Sequence, residues 1–386
     1  MRRGSTPGAR AAQISQQTEV RRSCSPEVSP QTDIQVEYGA QVEYGAAARP
    51  PGACRWRPSG GSQVRALIAA GLAGLLPGEV ATGAGAATVM TMPRPSTVRS
   101  LWFVLKPNVM QLAVFTGWVG LYLAPARPHP LLSLVAILCM AVAAGASAAI
   151  NNWFDADIDR QMARTRLRPT ASGAIDPSEA LWLGITLAII SVSVMGLAIN
   201  WTAGALLALT IGFYVFVYTV WLKRRTPQSI VIGGAAGAFP PIIGWAAATG
   251  QVDLLPIVLF LIIFVWTPPH FWALALYRSG DYAKVGVPML PVVAGRLRTR
   301  QHILAYTALL LPLTLVPVVT GDLGLAYAAL AAAGGLTFAR LACRLLHDNA
   351  DRTAMRIFRF SIFYLFVVFG AMVLDRFWGF SQAAGS

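Results

Sequence analysis

Charged side chains are scarce in this sequence. Asp, Glu, Lys and Arg make up only 12% of its 386 residues, whereas apolar residues make up 55%. About a quarter of the residues in a soluble domain are charged, so this composition excludes a soluble fold. The runs 128–154, 226–252 and 254–277 contain no charged residue at all, and each is longer than the ~20 residues that cross a bilayer. The sequence therefore predicts an integral membrane protein.

Cysteine is equally rare. Cys24, Cys54, Cys139 and Cys343 follow no metal-binding spacing, so the sequence implies neither a disulfide framework nor a thiolate metal site.

Residues 1–91 differ from the rest of the chain. They are rich in Arg, Ser, Gly, Pro and Gln, and the sequence QVEYGA occurs twice, at 35–40 and 41–46. The apolar stretch 66–76 is too short to span a membrane. We interpret 1–91 as a disordered or misassigned N-terminal extension, with a cleaved organellar transit peptide as the alternative. Residues 92–386 form the expected transmembrane domain.

The hydrophobic pattern predicts an all-α bundle of about nine membrane-spanning helices. The expected spans are 103–123, 131–153, 179–199, 202–222, 228–248, 254–275, 302–320, 323–343 and 357–377. Between these spans, only Arg127 and Arg376 carry positive charge on one side, and the remaining basic residues fall on the other. The positive-inside rule then predicts a cytoplasmic N-terminus. The net charge of +14 is accounted for by this orientation, and no nucleic-acid partner is expected.

An acidic motif, NNWFDADIDR at 151–160, closes the second predicted span. In a helix Asn151, Asp155 and Asp159 stack on one face, whereas Asp157 points elsewhere. A divalent cation such as Mg²⁺ would neutralise two neighbouring carboxylates and bridge them to a substrate phosphate. The alternative is a polar helix end in which Asp155 and Asp159 pair with Arg160 and Arg164.

Basic clusters follow the fourth and sixth predicted spans, KRRTP at 223–227 and RSGDY at 278–282. Each cluster alone is typical of an orientation signal. Because spans two, four and six end on the same side, we expect Asp281 to join Asp155 and Asp159 around a metal. The side chains expected around a diphosphate are Asn151, Arg164, Arg168, Lys223, Arg224 and Arg278. Carboxylates, Mg²⁺ and a basic rim suit a diphosphate leaving group.

His270 lies inside the sixth predicted span, after the pair Pro268-Pro269. On a continuous helix it shares one stripe with Tyr277 and Asp281. An intramembrane histidine is a candidate functional residue, but a hydrogen-bonded structural histidine after a proline kink accounts for it equally well.

Several motifs together resemble the protoheme IX farnesyltransferases, a branch of the UbiA-like intramembrane prenyltransferases. They are Asn151-x₃-Asp155-x₃-Asp159, TRLRP at 165–169, LKRRTP at 222–227, IGGAAGAFPP at 232–241, PPHFW at 268–272 and DYAKVGVPMLP at 281–291. The acidic motif indicates the superfamily, and the last two segments indicate the heme-modifying branch. The resemblance covers about residues 99–378.

The resemblance implies transfer of farnesyl from farnesyl diphosphate to the 2-vinyl group of heme B, giving heme O. It implies that Asp155 and Asp159 hold Mg²⁺, with Asn151 and Asp281 supporting, and that Lys223 and the arginines neutralise the diphosphate. Further implied roles are a heme contact for His270 and shielding of an allylic cation by Trp153, Phe154 or Tyr218. Three residues depart from the family pattern: Asn152, Ser229 and Gly280, the last of which weakens a second metal site.

Other functions stay open from the residues alone. A sister prenyltransferase acting on a quinone precursor or chlorin would share the acidic motif. A transporter would place its acids at mid-membrane depth, and an assembly subunit would give Asp155 and Asp159 no task. The expected location is a bacterial inner membrane, with the mitochondrial inner membrane as the alternative. A heme A synthase or terminal oxidase assembly is an expected partner.

Overall fold

The computed structural model of the protein describes residues 98–348 and 350–378. The predictions for residues 1–91 lie outside this part of the chain. Every regular element in the described ranges is helical, which confirms the all-α prediction.

The helices follow one another with short connections. In chain order they are α1 (Val98–Val104), α2 (Pro107–Leu123), α3 (Pro130–Phe154), α4 (Ala156–Gln161), α5 (Pro169–Ser172), α6 (Pro177–Val194), α7 (Trp201–Gly212), α8 (Ser229–Ala238), α9 (Pro240–Thr249), α10 (Leu254–Tyr277), α11 (Ser279–Lys284), α12 (Leu290–Val293), α13 (Gly295–Val319), α14 (Leu325–His347) and α15 (Asp351–Trp378). The π-helical segments Met195–Ile199 and Phe213–Leu222 continue α6 and α7 without a break in direction.

Eight of the helical segments in the described ranges are long and apolar enough to cross a membrane. They correspond to the second to ninth predicted spans. The first predicted span, 103–123, is instead divided, and only a shorter apolar helix, Met110–Leu123, remains at that place. The polytopic membrane bundle is therefore confirmed, whereas the first span, 103–123, and the cytoplasmic N-terminus stay predictions.

The break in the first predicted span lies at Lys106. Lys106 adopts a left-handed backbone conformation, with φ 54° and ψ 57°, and Pro107 begins α2. Proline fits the first turn of a helix but cannot continue one from before, because its ring clashes with the preceding turn. The hydrophobic pattern runs through this point, so periodicity alone does not reveal the break.

Glycine allows close packing between α2 and α9. A Cβ atom added to Gly244 would lie 1.9 Å from the carbonyl oxygen of Gly117, and one added to Gly120 would lie 2.1 Å from the carbonyl oxygen of Pro241. Small residues at such crossings let helix backbones approach closely inside a membrane. Phe239 and Pro240 divide the predicted span 228–248 into α8 and α9.

Several ends of the long helices lie at the same end of the bundle. Lys223, just after α7, contacts Asp155 at the end of α3, and Arg296 at the start of α13 contacts Leu276 near the end of α10. Since successive spans alternate in direction, the end of α14 and the start of α15 lie at this same end of the bundle. We call it the acidic end, because it carries Asp155 and Asp159.

Candidate functional site

Asp155 and Asp159 lie where α3 passes into α4. The backbone N–H of Asp155 donates to the Asn151 carbonyl (3.0 Å), and that of Asp159 donates to the Asp155 carbonyl (2.9 Å). This nearly continuous helical path puts the three side chains on one face, as predicted. Asp155 is 0% exposed and Asp159 2% exposed, so both carboxylates need partners.

Asp155 receives two side-chain hydrogen bonds at the same oxygen, Oδ2. The Asn151 amide donates over 2.7 Å, and the Lys223 ammonium donates as an ion pair. Arg224 lies 3.8 Å from Oδ1, but Oδ1 has no hydrogen-bond partner among the described residues. A buried carboxylate oxygen without a partner is costly, so this atom is the natural contact point for a bound cation.

Asp159 is paired separately. Arg168 approaches its Oδ2 to 2.6 Å, and the Thr165 hydroxyl donates to the Asp159 carbonyl over 3.1 Å. The arginine comes from the loop that follows α4 and folds back onto the acidic motif. The alternative of arginine-paired carboxylates is thus realised for Asp159, although through Arg168 rather than through Arg160 or Arg164.

The π-helical end of α7 sets the position of Lys223. The Lys223 N–H donates to the Tyr218 carbonyl five residues earlier, over 2.9 Å, and the wider turn is characteristic of π-helices near functional sites. Burial acts to lower the pKa of Lys223, but its pairing with Asp155 outweighs this and leaves the pKa raised. Lys223 is therefore a fixed positive charge.

Arg224 is engaged mainly by Asp157. Its guanidinium lies 2.6 and 2.7 Å from the two Asp157 oxygens, donates to the Phe154 carbonyl over 2.7 Å and lies 4.7 Å from the centre of the Phe154 ring. Burial opposes the effect, but the Arg224 hydrogen bonds lower the pKa of Asp157. Asp157 points away from Asp155, as predicted.

Lys106 belongs to this cluster, which the sequence did not indicate. Its ammonium donates to the Asn151 side-chain oxygen over 2.8 Å. Burial, together with the nearby charges of Arg168 and Lys223, lowers the pKa of Lys106 well below its ordinary value. In the sequence Lys106 looks like one more orientation charge near the start of the first predicted span. The one available signal is its place directly before Pro107, where a helix starts.

Asp281, which the sequence predicts as the third carboxylate of the metal site, has different surroundings from Asp155 and Asp159. Asp281 lies on the short helix α11, 3.8 Å from Arg278, and the described residues include no cluster of three metal-ligating acids, cysteines or histidines. The predicted meeting of Asp281 with Asp155 and Asp159 is therefore not seen in this structure. Arg164 is exposed and forms no ion pair with a described residue.

The family of the chain follows from comparison with known proteins. Residues 113–368 match the model of the UbiA prenyltransferase family, and this range contains the acidic motif and both basic clusters. The chain belongs to the UbiA prenyltransferase family.

Similar proteins span the same part of this UbiA-family chain. It is 53% identical over 292 residues to the Protoheme IX farnesyltransferase of Parvibaculum lavamentivorans, covering 75% of this chain and 92% of that protein. It is 56% identical over 282 residues to the Protoheme IX farnesyltransferase of Acidiphilium cryptum, covering 71% and 89%.

Solved structures share the fold at low identity. The apo UbiA homolog from Aeropyrum pernix K1 superposes with a TM-score of 0.58 at 19% identity, covering 70% of this chain and 98% of that one. A UbiA homolog from Archaeoglobus fulgidus bound to GPP and Mg²⁺ superposes with a TM-score of 0.54 at 17% identity, covering 71% and 99%.

The residues at the acidic end fit a divalent cation. Mg²⁺ is commonly held by one or two carboxylates together with substrate phosphates. Asp155 offers its unpartnered Oδ1, and Asp159 follows one helical turn later. Lys106, Lys223 and Arg168 surround the pair with positive charge that suits a diphosphate.

The aromatic residues predicted to shield a cation have different surroundings. Tyr218 and Tyr214 pack with ring centres 5.3 Å apart, and Tyr218 fills the space above Gly233, where an added Cβ would lie 2.2 Å from its ring. Phe154 contacts Arg224 instead, with Trp153 6.1 Å away. Of the predicted set, Tyr218 is the residue whose ring is held by packing against both Tyr214 and Gly233.

His270 has partners within the bundle. Its Nδ1 lies 2.7 Å from the Ser361 hydroxyl on α15, and its ring stacks between Trp266 (4.4 Å) and Phe358 (4.6 Å). The predicted stripe is interrupted because α10 ends at Tyr277 before Asp281. These contacts match the structural interpretation of His270, and its role as a heme contact stays a prediction.

Asn152 connects α3 to neighbouring helices beside the site. Its side-chain amide donates to the Val104 carbonyl at the end of α1 over 2.8 Å. Its backbone carbonyl accepts a hydrogen bond from the Thr170 hydroxyl over 3.3 Å. Asn152, one of the three residues that depart from the family pattern, thus links α1 and α5 to α3, next to Lys106.

Proposed function

We propose that this protein transfers the farnesyl group of farnesyl diphosphate to the 2-vinyl group of heme B, with addition of water, to give heme O. The observation that carries the choice of acceptor is the identity of 53–56% to proteins named Protoheme IX farnesyltransferase, over about nine-tenths of their length. The buried Asp155 and Asp159, each with its own cation, support the chemistry at the donor.

The proposed reaction begins at the allylic diphosphate. The bond between C1 of farnesyl and the diphosphate oxygen breaks, and its electron pair leaves with the diphosphate. Lys106, Lys223 and Arg168 stabilise this departing charge in a half-buried site, where preorganised cations act more strongly than in water. Asp155 and Asp159 would hold Mg²⁺, which supplies further neutralisation of the diphosphate when bound.

The vinyl group of heme then supplies the electrons for the new bond. Its π electrons join the terminal vinyl carbon to C1 of farnesyl, a water oxygen bonds to the remaining cationic carbon, and that water releases one proton. Because a vinyl group is a weak nucleophile, we expect departure of the diphosphate to come first. Tyr214 and Tyr218 form an aromatic wall near Asp155, which would shield the allylic cation.

The setting is a membrane. Eight apolar helices long enough to span one make this a multi-pass membrane protein. We propose that it lies in a bacterial inner membrane with the acidic end facing the cytoplasm, because most basic loop residues fall there. Association with a heme A synthase or terminal oxidase assembly stays a prediction.

Mass spectrometry of extracted heme tests the proposal directly. Membranes containing the protein are incubated with heme B, farnesyl diphosphate and Mg²⁺, with and without a chelator. We expect a new heme species heavier by one farnesyl group plus one hydroxyl group, which the chelator and Asp155→Asn both abolish. Asp322→Asn, which changes a half-buried carboxylate at the opposite end of the bundle, is the matched control and should retain activity.

The outcomes separate the acceptor from the donor site. Unchanged heme B with intact wild-type protein would contradict the heme assignment and favour a quinone precursor or chlorin, which the same assay can screen. Full activity of Asp155→Asn would instead contradict the role of the acidic motif.

A further inference from the structure

A second basic site lies at the acidic end of the bundle, apart from Asp155 and Asp159. The end of α14 and the start of α15 enclose a cleft of about 450 Å³. Its lining consists of Leu341, Arg344, His347, Asp348, Thr353 and Arg356. Both arginines are exposed, and neither forms an ion pair with a carboxylate in the described ranges.

The acid in the cleft does not cancel this charge. Asp348 accepts a hydrogen bond from the Thr353 hydroxyl and another from the Ala350 N–H over 2.8 Å. The Thr353 hydrogen bond is the main reason why the pKa of Asp348 is lowered. Asp348 keeps its one negative charge as a turn-forming side chain, while Arg344 and Arg356 carry two positive charges, so the cleft stays positive.

More basic residues surround the cleft. Arg340, Arg352 and Arg359 are exposed on the same two helices. The remaining nearby acid, Asp351, is paired with Arg296. The cleft therefore attracts an anion and offers two guanidinium groups, the side chains best suited to bind phosphate oxygens.

Apolar surface continues from the cleft toward the middle of the membrane. Phe363 is 63% exposed and Leu336 47% exposed, on α15 and α14 respectively. Phe363 lies seven residues beyond Arg356, which places it on the same stripe of the helix and about 10 Å deeper. An arginine at a helix end above an exposed aromatic residue is suited to a molecule with an anionic head and an apolar tail.

The cleft also faces away from His270, the candidate heme contact. Phe358 and Ser361, which contact His270, lie about 140–200° around α15 from Arg356 at 100° per residue. The cleft thus opens on a face of α15 other than the one packed against α10. A heme whose propionates bound there would place its ring on the outer surface of the bundle.

We propose that this cleft binds the phosphate headgroup of an anionic phospholipid, whose acyl chains lie along Phe363 and Leu336. Basic pockets between membrane helices are known to favour such headgroups. The site differs in place and residues from the donor site at Asp155, so the two can be tested independently.

Native mass spectrometry of the detergent-purified protein tests the proposal. Dioleoyl phosphatidylglycerol is the anionic probe, and dioleoyl phosphatidylcholine is the zwitterionic one. We expect preferential retention of phosphatidylglycerol. Its binding should weaken roughly thirty-fold in Arg344→Gln/Arg356→Gln, because each basic residue near an anionic lipid contributes about five-fold to the binding constant. Arg344→Lys/Arg356→Lys keeps the charge and should retain most of the binding.

The matched control is Arg166→Gln/Arg298→Gln, which removes two exposed charges at the same end but outside the cleft. Equal loss in this control, or equal binding of both lipids by the wild type, would overturn the proposal. Displacement of the lipid by millimolar inorganic phosphate would show a free-anion site instead. Loss of heme B binding in Arg344→Gln/Arg356→Gln, with lipid binding unchanged, would assign the cleft to heme carboxylates. If the double variant does not fold, Arg356→Gln alone should weaken binding of phosphatidylglycerol by less than the double variant would, whereas Arg298→Gln should leave it unchanged.

Discussion

Lys106 donates a 2.8 Å hydrogen bond to the side-chain oxygen of Asn151, whose amide in turn donates to Asp155. Lys106 is also the one non-glycine residue with positive φ in the described ranges. Left-handed backbone at a non-glycine residue costs about 1–3 kcal/mol and is retained where the surrounding structure requires it. Asn151 thus connects a strained, half-buried lysine to the carboxylate at the centre of the site.

Replacing Lys106 with glycine separates strain from function. Because glycine adopts positive φ readily, we expect Lys106→Gly to leave the unfolding free energy within about 1 kcal/mol of the wild type. The loss of a cation beside the diphosphate should nevertheless lower kcat by about a hundredfold. Thermal unfolding in detergent and heme product formation measure the two effects. Lost stability with normal kcat would make Lys106 a purely structural residue.

The lowered pKa of Lys106 predicts a pH effect. The charged ammonium is the form that attracts diphosphate, so kcat/KM should fall as pH rises through the pKa of the free protein, below the ordinary lysine range. Lys106→Arg stays charged across this range, so the alkaline limb should move to higher pH. A limb at the same pH in both proteins would assign the titration to another group. For folding the sign is opposite: a lysine with a lowered pKa favours the folded state more as pH rises.

The ion pair between Asp155 and Lys223 predicts a non-additive pair of substitutions. Removing one partner of a buried pair leaves an uncompensated charge and costs about 3–5 kcal/mol. We expect Lys223→Met to destabilise the protein by this order, and Asp155→Asn/Lys223→Met to recover part of the loss. A double-mutant cycle from thermal unfolding measures the coupling.

Proton linkage gives a second check on the same pair. Since the pKa of Lys223 is raised in the folded protein, its contribution to stability should be complete below the ordinary lysine pKa and be lost only as pH rises through the folded value. An additive cycle, or loss of the coupling near neutral pH, would contradict the ion pair.

The sequence indicates more of the fold than of the site. Uncharged runs and helical spacing suffice to predict eight spans and the shared face of Asn151, Asp155 and Asp159, because burial in lipid and the 3.6-residue repeat are local properties. The partners of these residues depend on packing between distant segments. Lys223 reaches Asp155 across 68 positions, and Lys106 reaches Asn151 across 45, distances that no local pattern encodes.

The surroundings of Asp281 also depend on the fold beyond its local motif. Its motif predicts a third carboxylate in the metal site. In the structure α10 ends at Tyr277 and Asp281 lies on the separate helix α11, so its place in the metal site stays a prediction. Arg224 was likewise predicted to contact diphosphate, and its shortest contacts are with Asp157. The sequence specifies which charged residues reach the acidic end, while backbone breaks and competing partners determine which of them meet.

The pair formed by Asp157 and Arg224 predicts a mild phenotype. Asp157 is 55% exposed as a side chain, so solvent screening reduces the pair to at most about 1 kcal/mol. We expect Asp157→Asn to leave stability nearly unchanged and to alter the KM for farnesyl diphosphate by no more than a few-fold, because Arg224 keeps its contacts with Phe154. Steady-state kinetics measure this, with Asp155→Asn as the inactive comparison. A large fall in kcat would show that Asp157 holds Arg224 in the position the reaction requires.

His270 provides the last prediction, since its two interpretations differ in measurable ways. Ser361→Ala removes the hydrogen-bond partner of Nδ1 and leaves a buried polar atom unpaired, which costs about 1–3 kcal/mol. His270→Phe keeps the aromatic stacking between Trp266 and Phe358 but removes both ring nitrogens. If His270 is structural, as its contacts favour, both variants should lower the unfolding temperature while heme B affinity, followed by absorbance titration, stays within about twofold. A loss of heme affinity in His270→Phe that Ser361→Ala does not share would assign the imidazole to the heme, because only that variant removes a nitrogen able to bind iron.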